Sequence, residues 1–459
     1  MAIILSSSVR TEVRSLFKLA IPLVSAQMAQ AATGFVDTVM MGHLGWKVLA
    51  AGGLASFTFQ VVLNTLSGVV MGVSPLVAEA YGAGCKARIE QVTRQGLWLT
   101  VGVSVLAMWA LSQANTLMLW LRQTPETVTL ASSYLDFILW GLFPAVGFAM
   151  LRGVVSGLSQ ARMIMVIVIG GTLFNIMANY VLGFGKFGFP RMELAGLALA
   201  SALSWWGMFA ALIIYLLKHP ELRAYRLFQK WYRLRIDLLK VLLVVGAPIG
   251  VSIFFEYGLV LAITYLMGIL GTDVLAAHQI ALQTGLMVFM IPLGMSFATT
   301  ARVGQWFGRR DLKGTERAER TSIGIIFVTA VLVASALIIF REPIIGLYID
   351  VSEPENREVL QLAVPMLIVV AIGHIFDAVQ KTTLGALYGL QDTHIPAIVG
   401  IAAFLCVGLL SGYMLGFIVG FGGVGLWSGY YLGSITAAAI YIWRFKRLVT
   451  KKASKTTVA

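Results

Sequence analysis

The chain is poor in charge, and poorer still in groups that usually do chemistry. Only 12% of its 459 residues are Asp, Glu, Lys or Arg, about half the share found in an average soluble domain. That scarcity removes the solvated faces that two or three water-soluble domains would need. Cysteine occurs twice, at Cys85 and Cys406, so neither a disulfide framework nor a thiol redox centre is built in. The five histidines are scattered, and there is no HExxH, GxSxG or phosphate-cradling glycine loop. The common metal, acyl-transfer and nucleotide sites are thereby excluded. An enzyme reading has nothing to rest on.

What fills the chain instead is apolar. Hydrophobic residues make up 58% and mean hydropathy is +0.85, in blocks near the roughly 20 residues that cross a bilayer as a helix. Twelve blocks are predicted, at about 16–41, 48–76, 95–118, 131–151, 163–183, 194–217, 238–268, 276–300, 322–340, 358–384, 395–418 and 423–443. The expected fold class is all-α and polytopic, with twelve transmembrane helices. The first block is too long for a signal-peptide core and no cleavage site follows it. The formal charge of +13 is one-sided: with the N-terminus in the cytoplasm, 28 of the 34 Lys and Arg residues fall on that side. This positive-inside bias places both termini in the cytoplasm, and the expected location is the plasma (inner) membrane. Anionic headgroups account for the basic balance, and nucleic acid has no part in it.

A basic stretch, KHPELRAYRLFQKWYRLRIDLLK at 218–240, divides the chain into halves of six spans. MGHLGWKVLAAGGLA (41–55) aligns with MGILGTDVLAAHQIA (267–281) at an offset of 226 residues, without a gap. The same offset pairs Pro22 with Pro248, Gly68 with Gly294, Glu90 with Glu316 and Arg94 with Arg320. Further on the offset becomes 232, pairing SGLSQARM (156–163) with YGLQDTHI (388–395). The expected organisation is an N-terminal lobe at 1–217, the cytoplasmic linker at 218–240, a C-terminal lobe at 241–443 and a basic cytoplasmic tail at 444–459. An even number of spans gives both halves the same orientation, so the repeat is parallel. Duplicated lobes with sites near the membrane midplane are a recurring construction of secondary transporters.

Three acids fall inside predicted spans: Asp37, Glu256 and Asp377. Their repeat partners are Ile263, Gln30 and Ala145, so the scaffold is duplicated while the charges are not. A charge at the centre of a membrane helix costs about 2.5–3.5 kcal/mol on insertion scales, which marks such residues as functional candidates. No Lys or Arg falls in the body of those three spans; Arg152, Arg302 and Lys381 are placed at cytoplasmic span ends. An unpaired buried carboxylate takes a proton or holds a cation, and a hard ion such as Na⁺ suits clustered oxygens. Glu256, Asp377 and Asp37 are therefore candidate cation-binding or coupling residues. The plainer reading of each is an acid hydrogen-bonded for packing.

Asn175 and Asn179 stand four apart and share a helical face. They either line a polar cavity with Asp37 or bond helix to helix, as amides do in membranes. Gln30 and Gln283 are further candidates for the cavity wall. His374 shares a face with Asp377, as a modulator or as a packed polar neighbour. Pro22 lies in the segment before Asp37 that could bend, or is a static kink.

Four stretches carry a family resemblance: LAIPLVSAQMAQAATGFVDTVMMGHLG (19–45), FNIMANYVLGFGKFGFPRMELAG (174–196), FFEYGLVLAITYLMGILGTDVLAAHQIAL (254–282) and FDAVQKTTLGALYGLQDT (376–393). They resemble helices of the multidrug and toxic compound extrusion (MATE) transporters, best of all the bacterial NorM-like branch, and the likeness covers nearly the whole chain. It implies a two-lobe fold of the MATE/MOP type and an antiporter that exports amphiphilic, often cationic small molecules by alternating access. Entry of H⁺ or Na⁺ would drive it, with no other cofactor, in a monomer among membrane lipids. The resemblance further implies a C-lobe cation site at Glu256 and Asp377 and an N-lobe polar site at Asp37, Asn175 and Asn179. Three positions depart from the pattern: Phe289 and Gly373 stand where some relatives carry tyrosines, and Tyr388 replaces a common arginine. The first two thin a Na⁺ shell and tilt the expectation toward protons. A flippase for lipid-linked precursors is the alternative within the superfamily. It would line its cavity with Lys or Arg to meet phosphates, whereas acids and amides favour cationic or neutral cargo.

Overall fold

A segment that crosses a bilayer has to satisfy its own backbone, and only a helix does so alone. The computed structural model describes residues 7–120, 124–225, 227, 234–350, 353 and 356–457, and among these helix is the only regular structure. In chain order the helices are α1 (Ser7–Leu44), α2 (Trp46–Met71), α3 (Val73–Gly82), α4 (Lys86–Ser112), α5 (Ala114–Trp120), α6 (Pro125–Gly157), α7 (Arg162–Phe184), α8 (Glu193–Lys218) and α9 (Pro220–Arg223). Then follow α10 (Ile236–Leu270), α11 (Thr272–Gly308), α12 (Leu312–Ile339), α13 (Arg341–Ile345), α14 (Arg357–Gly389), α15 (His394–Ala402), α16 (Leu410–Tyr413) and α17 (Gly422–Thr457). A π-helical stretch, Ala403–Leu409, joins α15 to α16, and a second, Met414–Ile418, extends α16.

Among the described residues, eleven helical stretches are long and apolar enough to cross a membrane. The twelfth expected span is α17, whose opening turns are diluted by glycine, serine and tyrosine. The protein is an all-α, multi-pass membrane protein. Of the predicted linker, residues 226 and 228–233 lie outside the described residues, as do 1–6 of the N-terminal lobe and 458–459 of the tail.

The duplication is written into the backbone as well as the sequence. Gly45 and Gly271, 226 positions apart, have φ of 127° and 134°, each breaking the chain before a new helix. Gly84 and Arg310 share that offset and a left-handed φ, 68° and 58°. Ser159 and Gln391, aligned at 232, have φ of 63° and 61°. Non-glycine residues seldom adopt this conformation, so its recurrence at matched turns comes from common geometry rather than from composition.

Two compact units make up the chain: Ser25–Phe254, and the residues to Val24 together with those from Phe255 onward. They differ from the sequence lobes 1–217 and 241–443 in where the first helix of each half begins. In the unit Ser25–Phe254, Gly246 and Gly250 of α10 lie against Gly68 of α2 and Gly72 at its C-terminal end, two GxxxG stretches in backbone contact. A Cβ added at Gly72 would stand 2.8 Å from the Gly246 Cα, and one at Gly68 would stand 2.9 Å from the Gly250 Cα. In the other unit Gly294 of α11, the repeat partner of Gly68, meets Val24 of α1, the partner of Gly250, at 2.6 Å on the same measure. Small residues permit this approach, which dispersion then rewards. The start of α1 is further held in its unit by a buried carboxylate: Glu12 accepts from Arg302 Nε (2.8 Å), Arg302 Nη2 (2.7 Å) and Trp306 Nε1 (2.9 Å).

Candidate functional site

Each unit contains a polar cluster built on helix faces that are otherwise apolar. In Ser25–Phe254 the cluster runs along α1, where Gln27, Gln30, Thr33 and Asp37 follow at spacings of three, three and four and so share one face. Asn179 Nδ2 on α7 donates to Asp37 Oδ1 (2.5 Å) and to Asn175 Oδ1 (3.0 Å). Asn175 Nδ2 donates to Ser201 Oγ on α8 (3.0 Å), and that hydroxyl reaches Asp37 Oδ2 (3.4 Å). The result is a closed ring of two amides and a hydroxyl around one carboxylate. Both asparagines are buried, and among the described residues no basic side chain pairs with Asp37. Neutral donors soften the desolvation of a carboxylate without cancelling its charge, which leaves it able to accept a proton or a small cation.

Gln30 belongs to the same stripe but to a different contact. Arg152 Nη1 of α6 donates to Gln27 Oε1 (2.6 Å) and Gln30 Oε1 (3.4 Å). Between this contact and Asp37, the hydroxyls of Thr33 and Thr172 meet at 2.9 Å.

In the second unit Glu256 lies on α10, Phe289 on α11, Asp377 and Lys381 on α14, and Ser434 on α17. Here the structure overturns a sequence expectation. Lys381, placed by span counting at a cytoplasmic end, donates its Nζ to Glu256 Oε1 (2.9 Å) and Oε2 (2.8 Å). Glu256 is therefore not an unpaired carboxylate. The reason is directional: helical side chains lean toward the helix N-terminus, which for α14 is away from the end where Lys381 sits. A four-carbon stem covers the rest. The same ammonium lies 5.0 Å from the centroid of the Phe289 ring. Asp377, one turn before Lys381 on the same face, is buried and accepts a hydrogen bond from Ser434 Oγ (3.2 Å).

The remaining predicted residues divide. Gln283 is exposed and joins neither cluster's hydrogen bonds. His374 is buried on α14, but Ser434 is the side chain that donates to Asp377. Pro22 lies inside α1, two residues before the chain passes from one unit to the other. At Gly373 the ring of Tyr431 rests directly on the glycine, leaving no room for a side chain there. Tyr431 in turn stacks on Trp427 at 5.9 Å and meets Tyr430 edge-on at 5.1 Å, so the aromatic wall flanking this face comes from α17.

Lys381, Arg152, Gln27, Thr33, Thr172, Ser201 and Ser434 are among the members of these clusters that sequence reasoning did not assign. A signal for Lys381 existed: Asp377 and Lys381 stand four apart, the spacing of a shared helical face. The serines gave none, because hydroxyls are ordinary in membrane helices.

The chain matches the model of the MatE family twice, over residues 22–181 and 248–414. The two matched segments begin 226 residues apart, the offset of the internal repeat. It is 48% identical to a protein of Synechocystis sp. called "Probable multidrug resistance protein NorM", over 97% of this chain and 96% of that one. A Synechococcus sp. protein of the same name is also 48% identical, over 98% and 97%. Among solved structures, one titled "Outward-facing conformation of a multidrug resistance MATE family transporter of the MOP superfamily" aligns with a TM-score of 0.88 at 20% identity, covering 99% of this chain and all of that one. At that identity the structural likeness speaks for the fold. Matched in both halves by the family model, and along nearly its whole length by relatives at 48% identity, the chain belongs to the MATE family of membrane transporters, which are not enzymes.

Proposed function

We propose that the protein is a cation-coupled antiporter that expels amphiphilic, often cationic compounds across the plasma (inner) membrane, with both termini in the cytoplasm. The observation that carries this reading is that both polar clusters are built around carboxylates inside helices of membrane length, Asp37 in one unit and Glu256 with Asp377 in the other. Relatives named as multidrug resistance proteins make small organic molecules the matching cargo. Entry of H⁺ or Na⁺ supplies the work: about 2.3 kcal/mol per charge for each 100 mV of membrane potential, and about 1.36 kcal/mol for each unit of pH gradient. Occupancy of a carboxylate lowers the cost of moving it through a low-dielectric path, which ties the conformational change to the ion. A lipid-linked cargo would need free basic groups for its phosphates, and the two basic residues in the clusters, Lys381 and Arg152, are both engaged by acceptors.

The test uses purified protein in liposomes with a fluorescent lipophilic cation, under Na⁺ and pH gradients imposed separately. Glu256→Gln and Asp377→Asn are expected to cut gradient-driven movement at least tenfold while inserting normally, and Asp37→Asn to do so independently. Full-rate pumping by all three would remove the carboxylates from the mechanism. Movement of a labelled lipid without movement of the cation would replace the antiport reading with that of a flippase.

A further inference from the structure

We infer that Lys381 is a tethered counter-cation, which occupies Glu256 when no other cation is bound and is displaced by the cation that binds. This rests on the antiport reading and concerns how its C-terminal site is kept neutral. Both oxygens of Glu256 are engaged by one ammonium, at 2.9 and 2.8 Å. The partners are unequally covered, with the Lys381 side chain 12% exposed and that of Glu256 30%. The carboxylate is thus the more open partner, and a cation that reaches it finds its charge already answered.

Three features suit this ammonium to moving. Its stem is flexible, and the head is a compact charge with three donors rather than a rigid fork. The Phe289 ring at 5.0 Å offers a second resting place, since the negative face of an aromatic ring attracts a cation. Asp377 stands one turn away on the same helix face and offers a third. A lysine released from Glu256 thus remains partnered throughout. The advantage lies in the empty carrier: removing one charge of a partly buried pair leaves the other uncompensated, and a carboxylate left bare would hold the protein in one state. A covalently attached cation neutralises it without consuming a coupling ion.

The tether also sets selectivity. A group held on a short flexible arm competes at an effective concentration in the millimolar range, so an incoming cation must win by other contacts. A bulky cation with apolar surface has them and a bare monovalent ion does not. Phe289, which offers a ring face and no hydroxyl, suits a lysine better than a metal ion. The arrangement is particular to this unit. In the other, Arg152 addresses the neutral Gln27 and Gln30, where there is no charge for a second cation to claim.

The experiment measures equilibrium binding of ethidium to the full-length protein in detergent at pH 8, with no gradient, for wild type, Lys381→Met, Lys381→Arg, Glu256→Gln and the double variant Glu256→Gln with Lys381→Met. Loss of the competitor is expected to tighten ethidium at least tenfold in Lys381→Met. Lys381→Arg should return toward wild type, and the methionine change should have no effect on the Glu256→Gln background. An unchanged affinity in Lys381→Met, or an equal change on both backgrounds, overturns the inference. A readout on the wild type guards against a variant that fails to fold: the rate at which an amine-acylating reagent labels Lys381, followed by mass spectrometry. Added ethidium should raise that rate severalfold while added Na⁺ leaves it unchanged, and a constant rate with ethidium counts against displacement. Neither assay depends on coupling, so failure of the antiport reading would show separately, as no ethidium movement under either gradient.

Discussion

At the scale of single residues, the two clusters answer one problem in different ways. Asp37 is held by neutral donors and Glu256 by a charge, and the difference predicts how each responds to substitution. Asn179 reaches Asp37 at 2.5 Å, whereas Ser201 reaches it at 3.4 Å. Asn179→Ala is therefore expected to cost about 1–2 kcal/mol of stability, near the upper end for a hydrogen bond between membrane helices, and to slow efflux more than Ser201→Ala does. Thermal unfolding in detergent and liposome efflux rates check both halves of that statement, and equal effects would mean the ring is not centred on Asn179. The amides and the acid of the ring were legible in the sequence, because Asn175 and Asn179 share a face and Asp37 is an unduplicated charge, whereas Ser201, which closes the ring, was not. The pairing of Lys381 with Glu256 was not legible, because depth read from the backbone leaves out the reach of a long side chain. The head group of a long side chain lies about a helical turn from its Cα, on the N-terminal side. Intramembrane acids should thus be checked against basic residues within a turn or two of the span ends on the other helices before being taken as unpaired.

At the scale of elements, the crossing of α2 and α10 depends on four glycines. Gly68 and Gly72 face Gly246 and Gly250 with backbone against backbone, and a Cβ at Gly246 would run into the Val69 carbonyl. Gly246→Leu and Gly72→Leu are accordingly expected to lower the yield of folded protein severely, since overpacking of a tight contact costs about 1–3 kcal/mol or more. Gly34→Ala and Gly53→Ala, in equally helical positions with nothing within 4 Å, should be neutral. Size-exclusion profiles of fluorescent fusions would separate the two classes, and a well-folded Gly246→Leu would contradict the contact. Both motifs can be read in the sequence, as GVVMG at 68–72 and GAPIG at 246–250. Their pairing cannot, because a GxxxG stretch marks a face for close approach without naming the partner. The repeat narrows the choice: Gly294 and Val24 occupy the matching positions and are likewise in contact, so one geometry serves twice.

At the scale of the whole molecule, the crossover of the two units gives the prolines a particular setting. α1 changes unit between Val24 and Ser25, two residues after Pro22, and α10 between Phe254 and Phe255, six after its repeat partner Pro248. A proline inside a helix removes one backbone hydrogen bond and displaces the carbonyl four residues earlier, making a local weak point. In α1 that point lies between two fixed ends: Glu12, bound by Arg302 and Trp306, and Asp37, bound by Asn179 and Ser201. Any motion that alters one anchor with respect to the other has to be absorbed along the helix between them, where the proline is the cheapest place. Pro22→Ala is therefore expected to leave folding and ethidium affinity unchanged and to slow gradient-driven efflux at least threefold. Loosening the Glu12 anchor should act differently. Glu12→Leu alone strands a buried guanidinium and is expected to destabilise by about 3–5 kcal/mol, while Glu12→Leu with Arg302→Met recovers most of that loss. The pair of experiments separates flexibility from attachment, because the first changes turnover at constant stability and the second changes stability first. If Pro22→Ala and Pro248→Ala both pump at the wild-type rate while Asp37→Asn does not, the prolines are static kinks, and coupling between the anchors must run through packed side chains rather than through the bend of α1.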